Sequence, residues 1–200
     1  MNAPQQLSLN IHVPADATFA NYWVSPDNAI AVQALQQFCA GQGDQSLLFW
    51  GSSGCGLTHL LQACSHLSDL PVAYVPLKDA LDLAPAEVCH NLENIPLVCV
   101  DDLDLLSQNP DWEQAFFHLY NRLRDNGHHL LMATHSKPTT LPFSLPDLHS
   151  RIMGSVIYHI DALRPEHKIE ALKVRLYFVL GAQCINVVYH TPHNPRMQIR

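Results

Sequence analysis

The chain has 200 residues, and at about 100–200 residues per domain one domain is the expectation. Hydrophobic residues make up 48% and charged residues only 14%, which excludes wholesale disorder. With 11 Lys+Arg against 18 Asp+Glu the formal charge is −7, so the chain lacks the net attraction to phosphate of an autonomous nucleic-acid binder, while contact with DNA through a partner stays open.

Residues 1–17 read as extended and irregular, broken by Pro4 and Pro14, with Asp16 and no apolar stretch of a secretory signal. From Asn28 to Ala40, Ile30, Val32, Ala34, Leu35 and Phe38 fit a helix that Gly41 and Gly43 would stop. Ser46–Trp50 suits a buried strand, followed by a glycine-rich turn and a helical segment through Leu57, Leu60, Leu61, Cys64 and Leu67. Val72–Val75 is a second strand, and Ala80–Leu92 is helical around an interruption at Pro85. Leu97–Val100 is a third strand, ending in Asp101, Asp102 and Asp104. Asp111 opens a helix through Trp112, Phe116, Leu119, Tyr120 and Leu123, with Gly127 just past its end. His129–Ala133 is a fourth strand; a short helix near Pro146–Met153, a strand at Val156–Ile160 and a helix from Pro165 to about Phe178 follow. Strands alternating with helices predict a parallel sheet covered on both faces, the three-layer α/β class.

Leu176–Tyr189 is the longest charge-free apolar run, but it holds Gln183 and Asn186 and is too short to span a bilayer. Cys39, Cys55, Cys64, Cys89, Cys99 and Cys184 show no C-x-x-C spacing and fall mostly in apolar periodic segments, which reads as reduced, buried thiols. A soluble, cytoplasmic chain is expected. Of the 13 histidines, His128-His129 point opposite ways from a strand and His190-x-x-His193 has no supporting carboxylate or thiol, so a histidine metal site is not expected.

Gly51-Ser52-Ser53-Gly54-Cys55-Gly56-Leu57-Thr58, continuing to His59, lies between an apolar strand and an amphipathic helix, the context of a phosphate-binding loop. Glycines let the backbone wrap an anion, and amide groups at the helix start supply positive field. Every fixed position of G-x-x-x-x-G-K-[ST] is present except the lysine, which is Leu57. Some forty residues later, Leu97-Val98-Cys99-Val100-Asp101-Asp102 closes four apolar residues on two carboxylates. In phosphate-loop proteins a carboxylate there holds Mg²⁺, which would be Asp101, and its neighbour Asp102 can polarise an attacking water. Leu57 argues against independent hydrolysis and weakens nucleotide binding.

Further motifs carry a resemblance. Phe19-Ala20-Asn21-Tyr22, with Asn28 beyond, resembles the adenine-side box of the initiator DnaA and its AAA+ relatives. Leu145-Pro146-Asp147-Leu148-His149-Ser150-Arg151, followed by Ile157-Tyr158, resembles the segment bearing that clan's arginine finger. Gln6-Leu7-Ser8-Leu9-Asn10-Ile11 is similar to the sliding-clamp peptide of the Hda-type, DnaA-related regulatory proteins, an extended segment that offers Leu7, Leu9 and Ile11 to an apolar pocket and Gln6 to polar contacts. Residues 1–176 as a whole resemble that group.

The resemblance implies a bacterial, clamp-anchored negative regulator of replication initiation with an AAA+ core. It implies ADP (or ATP, with Mg) near Gly51–His59 and Thr134 or His135 as the polar residue beside the phosphates. Arg151 is implied to act in trans on ATP held by DnaA. The partners implied are the polymerase III β clamp, DnaA and, through the clamp, DNA; no membrane is implied and self-association is open. The resemblance divides the chain into a clamp-binding segment (1–17), a nucleotide-binding core (18–176) and an atypical tail (177–200). Ala171-Leu172-Lys173-Val174-Arg175-Leu176 fits the last core helix, but the tail lacks the helical period of the family's lid. A missing lid would leave apolar surface uncovered and the fold marginal. Two other readings stay open: a helicase-loader type ATPase using Asp101 and Asp102 on its own ATP, and a non-functional fragment.

Overall fold

Five short apolar runs pair as one parallel sheet: β1 (Ser46–Trp50), β2 (Val72–Pro76), β3 (Leu97–Asp101), β4 (His129–Thr134) and β5 (Val156–His159). Their order is β2-β3-β4-β1-β5, so β1 lies between β4 and β5. The computed structural model describes residues 17–180. The expected clamp-peptide residues Gln6, Leu7, Ser8, Leu9 and Ile11, with Cys184 and the rest of 181–200, lie outside the described residues.

The helices are α1 (Ala29–Cys39), α2 (Leu57–Leu67), α3 (Leu77–Ala80), α4 (Pro85–Val88), α5 (Pro110–Asp125), α6 (Pro146–Met153) and α7 (Pro165–Leu180). Strand side chains alternate between the sheet faces. Leu47, Phe49, Leu97, Cys99, Leu131 and Ala133 share one core with Leu35 and Phe38 of α1 and Leu60 and Leu61 of α2. Leu48, Val98, Val100, Leu130 and Met132 share the other with Trp112, Phe116 and Leu119 of α5 and Leu148 and Ile152 of α6. Each such side chain taken from water stabilises the fold by about 1.5–3 kcal/mol. This is the predicted three-layer α/β class.

Two expectations need correction. Cys39 and Cys64 are joined by a disulfide rather than both reduced; their Cα atoms lie 5.6 Å apart where α1 packs on α2. That pairing spans 25 residues and depends on helix packing, which local spacing does not encode. Cys55, Cys89 and Cys99 are the buried free thiols expected. The Ala80–Leu92 segment is not one interrupted helix: α3 ends at Ala80, α4 is a single turn at Pro85–Val88, and a further turn spans Leu92–Asn94. The helix expected from Pro165 to about Phe178 is α7, which runs to Leu180. It exposes Ile169, Leu172, Leu176 and Phe178. Among the described residues no helix is long and apolar enough to cross a membrane.

Candidate nucleotide-phosphate site

β1 runs into Gly51, and the chain wraps through Gly56 before α2 begins at Leu57. Gly56 has φ +98°, and a Cβ there would lie 2.7 Å from Cε2 of Tyr22. At Gly51 an added Cβ would collide with the Ile160 carbonyl oxygen. Both positions therefore exclude larger residues, one for its backbone angle and one for its neighbour. The turn sets the first amides of α2, such as that of Thr58, at the positive end of the helix dipole, where the helix itself supplies no acceptor. A cavity of about 410 Å³ opens there, lined by Ser53, Gly54, Gly56, Leu57, Thr58, His59, Gln62, His135 and Arg175, with Ala17 at its edge. Ser52 and Ser53 are exposed on the loop, while Cys55 is buried beneath it and burial raises its thiol pKa. Leu57 is 1% exposed and belongs to the core beneath the loop. The backbone cradle fits a phosphate; the side chain at the lysine position adds no charge to it.

β3 ends on Asp101, and Asp102 follows it. Asp101 is buried, and its carboxylate accepts from the Tyr74 hydroxyl at 2.9 Å and from the Asp102 amide at 3.0 Å. Burial, with the adjacent Asp101 charge, pushes the Tyr74 phenol up, keeping it a donor. Asp102 has a left-handed backbone, φ +59°. Its carboxyl is raised above the ordinary carboxylate value by burial and by Asp101, partly offset by His135 and Lys78. Among the described residues no three His, Cys, Asp or Glu side chains group as a metal site. A Mg²⁺ bound with a nucleotide would draw on Asp101 and Thr58, with the nucleotide and water as its other oxygen ligands; Asp101 does not itself line the cavity.

Of the two candidate sensing residues at the end of β4, His135 lines the cavity and Thr134 does not. Thr134 is 0% exposed and its hydroxyl donates to Oδ1 of Asp104 at 3.0 Å. His135 has Nδ1 3.2 Å from the Gly51 carbonyl and Nε2 3.5 Å from Oδ1 of Asp102. The carbonyl accepts only, so the ring carries its proton on Nδ1 there. His135 thus bridges the phosphate loop and the acidic strand end.

The residues expected on the adenine side brace this architecture, and none of them lines the cavity. Phe19 and Tyr22 pack against the α1–α2 core. Tyr22 covers Gly56, donates to the Cys55 carbonyl at 3.2 Å and lies near the His59 ring; burial pushes its phenol up to about 12. The buried Asn28 amide pairs with Asp161 at both ends: Nδ2 donates to its carbonyl at 3.0 Å and Oδ1 accepts from its N–H at 2.9 Å. Asn28 therefore fixes the chain leaving β5.

Arg151 is elsewhere. It lies on α6 and lines a cleft bordered by Ser46, Leu130 and Val156, the starts of β1, β4 and β5. The phosphate loop follows the other end of β1. Five strand residues at roughly 3.3 Å each separate the two ends by about 15 Å, beyond the reach of an arginine side chain. Arg151 cannot serve its own molecule's cavity.

Sequence reasoning passed over three residues. Arg175 lines the phosphate cavity from α7, a contact made only by the fold. Asp104 orients Thr134 and also accepts from the His135 amide at 3.0 Å. Glu113, 0% exposed on α5, holds the approach to α6 by accepting from the amides of Gln108, Ser144 and Leu145. A glutamate in the first turn of a helix otherwise heavily apolar on one face was the available signal for it.

No family model matches the chain. Among solved structures it is similar to domain III of the Thermotoga maritima replication initiation protein DnaA, at 24% identity over 84% of this chain and 76% of that one, TM-score 0.73. It is similar to AMPPCP-bound DnaA from Aquifex aeolicus at 24% identity over 82% of this chain and 56% of that one, TM-score 0.72. The DnaC helicase loader matches at 15% identity over 74% of this chain and 98% of that one, TM-score 0.57. The chain spans about half the length of the longer initiator chains it matches. Its fold matches that of DnaA domain III.

Proposed function

We propose that this chain is an Hda-type negative regulator of replication initiation, anchored to the sliding clamp through Gln6–Ile11, which promotes hydrolysis of ATP bound to DnaA. Arg151 is the residue that acts. The observation that carries the reading is its position at the strand-start end of the sheet, remote from its own phosphate loop, with no carboxylate in ion-pair range among the described residues. A guanidinium so placed is available to a neighbouring molecule's γ-phosphate, where it would stabilise charge developing as the phosphoryl group leaves.

The chain's own phosphate cavity has a structural role in this reading. ADP, or ATP with Mg²⁺, would be held by the Gly51–Thr58 amides, with Arg175 beside the phosphates and Asp101 toward the metal. With Leu57 in the lysine position, intrinsic turnover is low. Likeness to AMPPCP-bound DnaA supports a nucleotide in this fold.

The test is reconstitution on clamp-loaded DNA with DnaA–ATP, following conversion of bound ATP to ADP. Stimulation should be lost on Arg151→Ala, and clamp pull-down should be lost on Gln6→Ala with Leu7→Ala. Pull-down by the folded chain that fails from the start would overturn the anchoring.

A second reading has its own observation: His135 joins the phosphate loop to Asp102, an arrangement suited to a P-loop ATPase of the helicase-loader kind. Intrinsic ATPase that vanishes on Asp102→Asn would support it over the first.

A further inference from the structure

The cleft that holds Arg151 has a second cation. Arg124, in the last turn of α5, lines the same cavity of about 270 Å³, together with His128, Tyr120, Ser46 and Asp44. α5 packs on α6, and both arginines line this one cleft. They differ from others on the surface: Arg122, two residues away, pairs with Glu93 at 3.8 Å, and Arg164 pairs with Asp27 at 3.0 Å. Among the described residues neither Arg124 nor Arg151 has a hydrogen-bonded or ion-paired side-chain partner. His128 is oriented by its Nδ1, 2.8 Å from the Glu93 carbonyl, and the floor is polar, with the Tyr120 and Ser46 hydroxyls 3.2 Å apart.

Two guanidiniums and one carboxylate, that of Asp44, line the cleft with no ion pair among them, and the net positive charge favours entry of a dianionic group. Planar guanidinium forks suit phosphate oxygens better than an ammonium does. We propose that Arg124 and Arg151 together form a receiving notch for the polyphosphate of a nucleotide carried by a neighbouring P-loop protein, Arg124 being the second trans-acting cation. This rests on the reading of Arg151 given above. A lone role for Arg124 as a favourable charge at the C-terminus of α5 would need no cleft.

The experiment compares Arg124→Gln, Arg124→Lys, Arg122→Gln and Arg151→Ala in single-turnover hydrolysis of DnaA-bound ATP on clamp-loaded DNA, at saturating and half-saturating chain. Thermal melts and clamp pull-down are measured for each. Arg124→Gln should lower the saturated rate about 10-fold or more, with melt and pull-down unchanged. Arg124→Lys should restore part of the rate, and Arg122→Gln, outside the cleft, none of the loss. Full stimulation by Arg124→Gln beside an inactive Arg151→Ala overturns this inference and leaves the proposed function standing. So does a defect in Arg124→Gln that saturating chain corrects, which would make Arg124 a docking residue. Full stimulation by Arg151→Ala overturns both.

Discussion

Oε2 of Glu113 accepts a 2.7 Å hydrogen bond from the backbone N–H of Leu145, the residue that precedes α6. Oε1 accepts from Ser144 and Gln108, each at 3.1 Å. One buried carboxylate on α5 thus satisfies three amides and sets where α6 starts, hence where Arg151 stands.

Glu113→Ala should therefore destabilise the chain by about 3 kcal/mol or more, since buried amides lose a charged acceptor. Glu113→Gln should be intermediate, because its amide has one acceptor oxygen. Chemical denaturation measures both; amide exchange at Ser144 and Leu145 should rise in the folded state. Stimulation of the partner's hydrolysis should fall with it.

Asp102→Asn should raise stability at neutral pH. The Asp102 carboxyl is raised from 3.8 by burial and by Asp101, so the native state holds its proton more tightly than the unfolded chain does. Its contribution is full below 3.8 and is lost as pH rises through the higher folded value. Asparagine removes that loss and tolerates the left-handed backbone at this position. Melting temperatures of wild type and variant should converge at low pH and separate above it, the variant higher.

Asn28→Ala should cost about 2–3 kcal/mol by leaving both the N–H and the carbonyl of Asp161 unpaired. Asn28→Asp should be no better, because it keeps the acceptor but sets a carboxylate against that carbonyl. Urea midpoints decide this. Equal midpoints for wild type and Asn28→Ala would show that water replaces the amide.

Leu57→Lys should tighten ADP binding by roughly tenfold, since a charge-assisted phosphate contact is worth about 1.5–3 kcal/mol. The long stem can take the buried path of the leucine while its ammonium reaches the cavity. Arg175→Ala should weaken ADP by a similar factor and AMP much less, locating its contact at the outer phosphate. Titration calorimetry with the two nucleotides separates these outcomes.

The sheet, its layers and the phosphate loop were legible in the chain because their signals are local. Apolar runs such as Leu97–Val100 and glycines at fixed offsets such as Gly51 and Gly56 report on neighbours a few residues away. Leu57 as a departure from the loop pattern was equally plain. What sequence could not supply is which distant residues meet. The Cys39–Cys64 bond, Arg175 over the phosphate loop, His135 rather than Thr134 at the cavity, and Arg124 beside Arg151 each join separate elements. Such contacts follow from helix packing and from the crossing order of the parallel sheet, and neither is written in local periodicity.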